Sequence, residues 1–171
     1  IECATVPEDM NDEAAVFFAA AQEALASVRV APPRLGENVA VLGQGTSGNL
    51  MAQIHRLSGA GRVAVADISA QRLAIAQQCG MEKCFNVRER PLQEWLTELS
   101  PRGIELLCVA EEGLGLFADA MPFVASHGIV TLQAAPDEAW ALRLWNLVIE
   151  RSLAVLGAPG LRLSDEQRRA D

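Results

Sequence analysis

The sequence predicts an α/β chain: a doubly wound, mainly parallel sheet with helices on both faces, in one three-layer domain. Three observations carry this reading. Short apolar runs of strand length alternate with helical stretches from residue 36 to 157. The runs are continuously apolar, as strands buried on both faces require. The connections are short, and strands and helices that alternate in this way pack as parallel strands joined by right-handed crossovers. The chain has 171 residues, half of them hydrophobic, which suffices for one sizeable core.

Taken in order, residues 6–29 open with Pro7 and the acids Glu8, Asp9, Asp12 and Glu13, then run into Ala-rich apolar sequence. Acids ahead of such a run favour a helix start. One helix of about four turns is expected, stopped by Ala31-Pro32-Pro33. Residues 38–42 form a buried strand ending in glycines. Residues 49–57 form a helix with Leu50, Met51, Ile54 and Leu57 at helical spacing. A second strand, 62–66, stops at Asp67, and a helix over 69–78 closes on Gly80 as its C-cap. Beyond it the pattern predicts strands at 85–87, 104–110, 128–133 and 153–156, and helices at 91–99, 114–124 and 138–150. Ser164-Asp165-Glu166-Gln167 has capping-box spacing for a helix that runs out at Asp171. Residues 1–35 therefore read as a lead-in helix, 36–160 as the domain, and 161–171 as a tail.

Composition removes several classes. With 14 Lys and Arg against 22 Asp and Glu, the net charge is −8, a poor match for a nucleic-acid surface. No apolar run reaches the roughly 18 residues of a membrane span. The four cysteines (3, 79, 84 and 108) include no CxxC pair, which argues against structural zinc and for thiols in a reducing, cytoplasmic setting.

The strongest motif is Gly43-Gln44-Gly45-Thr46-Ser47-Gly48, a G-x-G-x-x-G. Its context gives it weight: it follows a predicted strand, opens a helix, and the next strand ends in Asp67. Gly43 would allow the tight turn, Gly45 would let the backbone meet a pyrophosphate, and Gly48 would let the helix press on the sheet. The amides of the first helical turn would face the phosphates. Asp67, with Ile68 beside it, would accept from the ribose hydroxyls and repel a 2′-phosphate, favouring NAD over NADP. The alternative is a plain tight turn, with Asp67 capping the next helix. Arg72 would lie over the adenine or ribose, or be a solvated helix arginine.

Competing glycine loops fit less well. The absence of Tyr excludes the Tyr–Lys pair of short-chain dehydrogenases, and Lys83 is the only lysine. The Gly-Lys-Ser/Thr of a Walker loop is missing. The spacing and the apolar strand end also differ from a methyltransferase loop. No catalytic centre emerges. His55 and His127 read as packed or surface side chains, Glu111 and Glu112 as loop acids at the strand ends, and no His/Cys/Asp/Glu set has metal-ligand spacing.

Five segments in order carry a resemblance: VPEDMNDEAA, GENVAVLGQGTSGNLMAQ, GRVAVADISAQRLAIAQQCG, HGIVTLQAAP and SLAVLGAPG. Together they resemble the cofactor domain of the medium-chain dehydrogenase/reductase family, which includes the zinc alcohol and polyol dehydrogenases. The resemblance implies a Rossmann sheet of order 3-2-1-4-5-6 and NAD(H) stretched across the strand ends. It places Val109 and Ala110 on the adenine side, and Leu132 and Gln133 on the nicotinamide side. It also implies a GroES-like catalytic domain that this chain lacks, no zinc held by this chain, and a homodimer through edge strand 153–156. Phe17-Phe18-Ala19-Ala20 occupies the stretch where zinc-dependent members carry a ligand, and Ser47 replaces a branched apolar residue. The implied function is the NAD(H)-binding domain of an alcohol dehydrogenase-like oxidoreductase. The alternative is a non-catalytic Rossmann module for nucleotide sensing or assembly.

Overall fold

The computed structural model describes residues 6–110, 116–133, 148 and 151–157. In chain order the elements are α1 (Asp12–Val16), α2 (Phe18–Val30), β1 (Asn38–Leu42), α3 (Thr46–Leu57), β2 (Arg62–Asp67), α4 (Ala70–Gln78), β3 (Lys83–Asn86), α5 (Leu92–Leu99), β4 (Ile104–Val109), α6 (Leu116–Ala120), a 3₁₀ turn (Met121–Phe123), β5 (Val124–Leu132) and β6 (Ala154–Gly157). The six strands form one sheet of order β3-β2-β1-β4-β5-β6, every neighbouring pair parallel. This is the expected doubly wound architecture.

Strand alternation divides the core. Val39 and Val41 of β1 face one side of the sheet, where Ala24 and Val28 of α2, Met51 and Ala52 of α3, and Leu73 of α4 pack on them. Ala40 and Leu42 face the other side, covered by Trp95 and Leu96 of α5 and Phe117 of α6. Chain reversal at the sheet's middle, where β1 is flanked by β2 and β4, opens a crevice at the strands' carboxyl ends.

Four expectations need correcting. The single helix over 6–29 is two, α1 and α2, separated at Phe17, whose amide turns back to Ala14 O at 3.1 Å. Asn11, whose side chain accepts from Ala14 N, starts the first. The helix expected over 114–124 is only Leu116–Ala120, because Pro122 sits in a 3₁₀ turn that follows it. The fifth strand begins at Val124, not 128. It absorbs extra residues in a bulge at His127 (φ +63), so the pairing with β4 jumps from Ile104↔Val124 to Leu106↔Ile129. The third strand spans Lys83–Asn86, two residues earlier than expected. Strands expected at 104–110 and 153–156 are Ile104–Val109 and Ala154–Gly157. The helices over 138–150 and after Ser164 lie outside the described residues, apart from isolated positions. No described helix is long and apolar enough to cross a membrane.

Candidate functional site

The crevice is built on the loop between β1 and α3. Gly43 turns the chain off β1 with φ +91, a region open to glycine, and its amide donates to Ala66 O at 2.8 Å. A Cβ on Gly48 would stand 2.0 Å from Gly43 O and 3.1 Å from the Ala110 Cβ, so only hydrogen fits there. Gly45 differs: a Cβ there would meet nothing within 4 Å, which leaves an open hollow above the loop.

Helix α3 starts without a side-chain cap. Its first internal bond runs from Asn49 N to Gly45 O, so the amides of Thr46, Ser47 and Gly48 have no acceptor within the helix. Beside them lie two side-chain atoms that are buried without a partner, Gln44 Oε1 and Asn49 Nδ2. Free amides at a helix's positive end, over an open glycine, fit a phosphate group.

Asp67 sits fully buried at the end of β2. Its Oδ2 accepts from Gln44 N and its Oδ1 from Ser69 N, each at 2.7 Å. One carboxylate thus ties the glycine loop to the start of α4, where Ser69 takes the cap position over Arg72 N. Each oxygen keeps a second lone pair. The Arg72 guanidinium stands 3.6 Å from Oδ2 with its own side chain 43% exposed. The arginine is therefore neither purely solvated nor free of the acid.

The strand ends bring the other predicted positions alongside. Ala110 N donates to Leu42 O and Gln133 N to Val109 O, both at 2.9 Å, so residues 110 and 133 top adjacent strands. The side chains of Val109 and Leu132 join the core on the α5 face, leaving only their backbone near the crevice. The Gln133 side chain turns to α2, donating from Nε2 to Ser27 Oγ at 2.8 Å. Ile68 is half-buried beside Asp67, and Thr46 is exposed.

Sequence reasoning passed over this polar layer between α2 and α3. Glu23 and Ser27 share a face of α2, and Asn49 and Gln53, bonded at 2.7 Å, share one on α3. Polar residues at i, i+4 on helices that must bury a face were the available signal. Burial pushes the Glu23 carboxyl above its ordinary range, and its Oε2 has no partner.

His55 proves fully packed. Its Nε2 lies 3.3 Å from the Cys108 Sγ beneath α3. Burial pulls the imidazole down to about 4 and pushes the thiol up to about 12, the second partly opposed by the Thr131 hydroxyl. At neutral pH both groups are uncharged, so this is no thiolate–imidazolium dyad. His127 is exposed on the bulge of β5, away from the crevice. Glu111 and Glu112 lie outside the described residues. Among the described residues no group of three or more His, Cys, Asp or Glu is placed to hold a metal ion.

No family model matches the chain. It is 28% identical over 160 residues to an L-threonine 3-dehydrogenase of Idiomarina loihiensis, covering 91% of this chain and 45% of that protein. It is 28% identical over 133 residues to alcohol dehydrogenase 1 of Pisum sativum, covering 75% and 35%. Galactitol-1-phosphate dehydrogenase from Escherichia coli superposes with a TM-score of 0.72 at 25% identity, over 90% of this chain and 45% of that one. A short chain alcohol dehydrogenase from Escherichia coli CFT073, complexed with NADH, gives 0.78 at 21% identity over 91% and 46%, which bears on the fold. The chain thus spans less than half the length of these relatives, all of them dehydrogenases.

Proposed function

We propose that this chain is the NAD(H)-binding part of a dehydrogenase that interconverts an alcohol and a carbonyl compound, with the substrate-handling groups supplied by a catalytic domain outside it. The observation that carries this is the open space at Gly45 beside the three free amides that begin α3. When bound, the nicotinamide ring would give or take a hydride. The chain's own residues do the positioning. The amides of Thr46 to Gly48 would hold the pyrophosphate. Asp67, fixed by two amides and buried behind Arg72, would offer its remaining lone pairs to the adenosine ribose once the Arg72 side chain swings aside. Ala110 would line the crevice floor on the adenine side and Gln133 on the nicotinamide side. Ser47 is half-buried at the start of α3.

Arg72 refines the cofactor choice. Its guanidinium offsets part of the Asp67 charge, so preference for NADH over NADPH should be modest, about tenfold. Fluorescence titration with both cofactors measures this ratio. Gly45→Asp is the direct test of the site, because its Cβ has open space within 4 Å and its carboxylate would stand where the phosphate would bind. NADH binding should be lost with stability retained. Unaltered NADH affinity in that variant would remove the proposal.

A second reading, a nucleotide-sensing module without catalysis, is favoured by Ser47, a half-buried polar residue at the start of α3 where the family resemblance implies a branched apolar one. A longer natural chain that oxidises an alcohol with NAD would dismiss it. Under either reading, the edge strand β6 would join two copies into a homodimer.

A further inference from the structure

We propose a second ligand site at the opposite end of the sheet: a cleft for a small multivalent oxyanion, at the amino ends of β2, β1 and β4. It does not depend on the nucleotide reading. The cleft has a volume of about 510 Å³, and Arg62, Arg102, Asn38, Ser100 and Glu105 bring its polar groups. A second hollow, about 230 Å³, continues it past Arg62 and Leu99 to Lys83, against the Trp95 wall.

Three cations of an acidic chain therefore line one continuous groove. Strand order explains why: Arg62 opens β2, Lys83 opens β3, and Arg102 lies just ahead of β4, with only β1 between Arg62 and Arg102. Neighbouring strands lie about 4.8 Å apart, so Arg62 and Arg102 stand about two spacings apart across β1, within the combined reach of two arginine side chains.

Of the two acids in the groove, Glu98 is neutralised by Arg90, while Glu105 is oriented by Asn38 and keeps its charge against the cleft's two arginines. Glu105 Oε2 accepts from Asn38 N at 3.0 Å and from Asn38 Nδ2 at 3.1 Å. Glu98 is held by Arg90 through both carboxylate oxygens. Neither arginine of the groove has a carboxylate within ion-pair distance among the described residues. The Arg62 Nη1 is steered by Leu99 O at 3.5 Å, and Arg102 is exposed. The floor is rigid: Gly61 N donates to Glu37 O at 2.8 Å, and a Cβ on Gly61 would stand 2.4 Å from Gly36 O. Two guanidinium forks, with the Ser100 hydroxyl, which accepts from Asn38 Nδ2 at 3.5 Å, in the same lining, match a pair of carboxylates or a diphosphate.

Calorimetric titration of citrate and of pyrophosphate tests this at low salt, using the Gly45→Asp chain so that the upper loop cannot contribute. At least one anion should bind. A stronger pyrophosphate signal assigns the site to phosphoryl ligands, a stronger citrate signal to carboxylates. Arg62→Gln with Arg102→Gln should weaken that binding about tenfold or more, since each lost fork removes a charge-assisted contact. Thermal denaturation of the double variant checks that it remains folded. Arg34→Gln, at an exposed arginine outside the groove, should leave the binding unchanged. Absence of binding by both anions overturns the proposal. So does full binding by the double variant, or an equal loss in Arg34→Gln.

Discussion

The two faces of the sheet are built from different material. On the α5 face, Trp95 stacks on Phe85 at 5.0 Å and 14° within a large apolar cluster, with Ser100 at the end of α5 a buried polar residue beside it. On the α3 face, apolar packing is interrupted by Ser27, Asn49, His55 and Thr131, all buried. Burying polar groups costs stability unless each finds a partner. The α5 face therefore works as a stabilising layer, while the α3 face gives up part of that gain to hold polar groups beneath and beside the crevice. Of the buried side-chain atoms without a partner, Asn49 Nδ2 and Gln44 Oε1 sit at the glycine loop, while Glu23 Oε2, His55 Nδ1, Thr131 Oγ1 and Gln133 Oε1 lie elsewhere.

The largest expected effect belongs to the first face. Trp95→Ala should cost about 3–5 kcal/mol, the range for deleting a buried aromatic ring. The loss should be the same at pH 4 and pH 7, since the pair it breaks carries no titrating group. Denaturant titration measures it, and a loss below 1 kcal/mol would show that the ring is poorly packed.

The second face should respond to pH instead. His55 is held to about 4, below the 6.5 of an unperturbed imidazole. As pH falls from 6.5 to 4, the unfolded chain takes a proton that the folded chain refuses, so stability drops. Below 4 both states are protonated and the loss levels off. The shift corresponds to about 3 kcal/mol over that window. Denaturation at pH 7 and pH 4, compared with His55→Leu, isolates it from the carboxylates. A variant with the same acid slope as the parent would exclude His55 as the cause.

Where the second face meets the crevice, Asp67→Asn sharpens the comparison. Its amide nitrogen must oppose either Gln44 N or Ser69 N, donor against donor. The expected cost is about 1–3 kcal/mol. NADH affinity should fall about tenfold or more with it. Lost stability with unaltered affinity would make Asp67 a loop anchor and nothing more.

The β1–loop–α3–β2 unit was legible because each local signal agreed: continuous apolar runs, glycines where a positive φ or a close approach is needed, and an acid closing the next strand. Elements whose bounds depend on distant partners were not. The start of β5 is decided by its bulge against β4, and the split at Phe17, an exposed residue, has no signal in the apolar pattern. The site followed the same division. The glycines and Asp67 were readable as residue types, but the Gln44–Asp67 bond that joins them was not. Ser27 with Gln133, and His55 with Cys108, meet across 106 and 53 residues of chain, which no spacing rule reveals.

The smallest stability effect is expected at the sheet's edge, and there it carries the most information about assembly. β6 pairs with β5 on one side and with no other described strand, and Val155 is 36% exposed on it. An open edge with apolar side chains is a template for pairing. A lysine at this position keeps the internal ladder to β5 intact, since its charge lies on an exposed side chain. Val155→Lys should therefore shift stability by no more than about 0.5 kcal/mol, as exposed substitutions do. It should nevertheless convert a dimer to a monomer, because two such lysines would face each other across a joined edge. Light scattering at matched concentration reads this directly. A parent chain that is already monomeric, or a variant of unchanged mass, would move the interface away from β6 and leave Val155 an ordinary exposed residue at the end of the sheet.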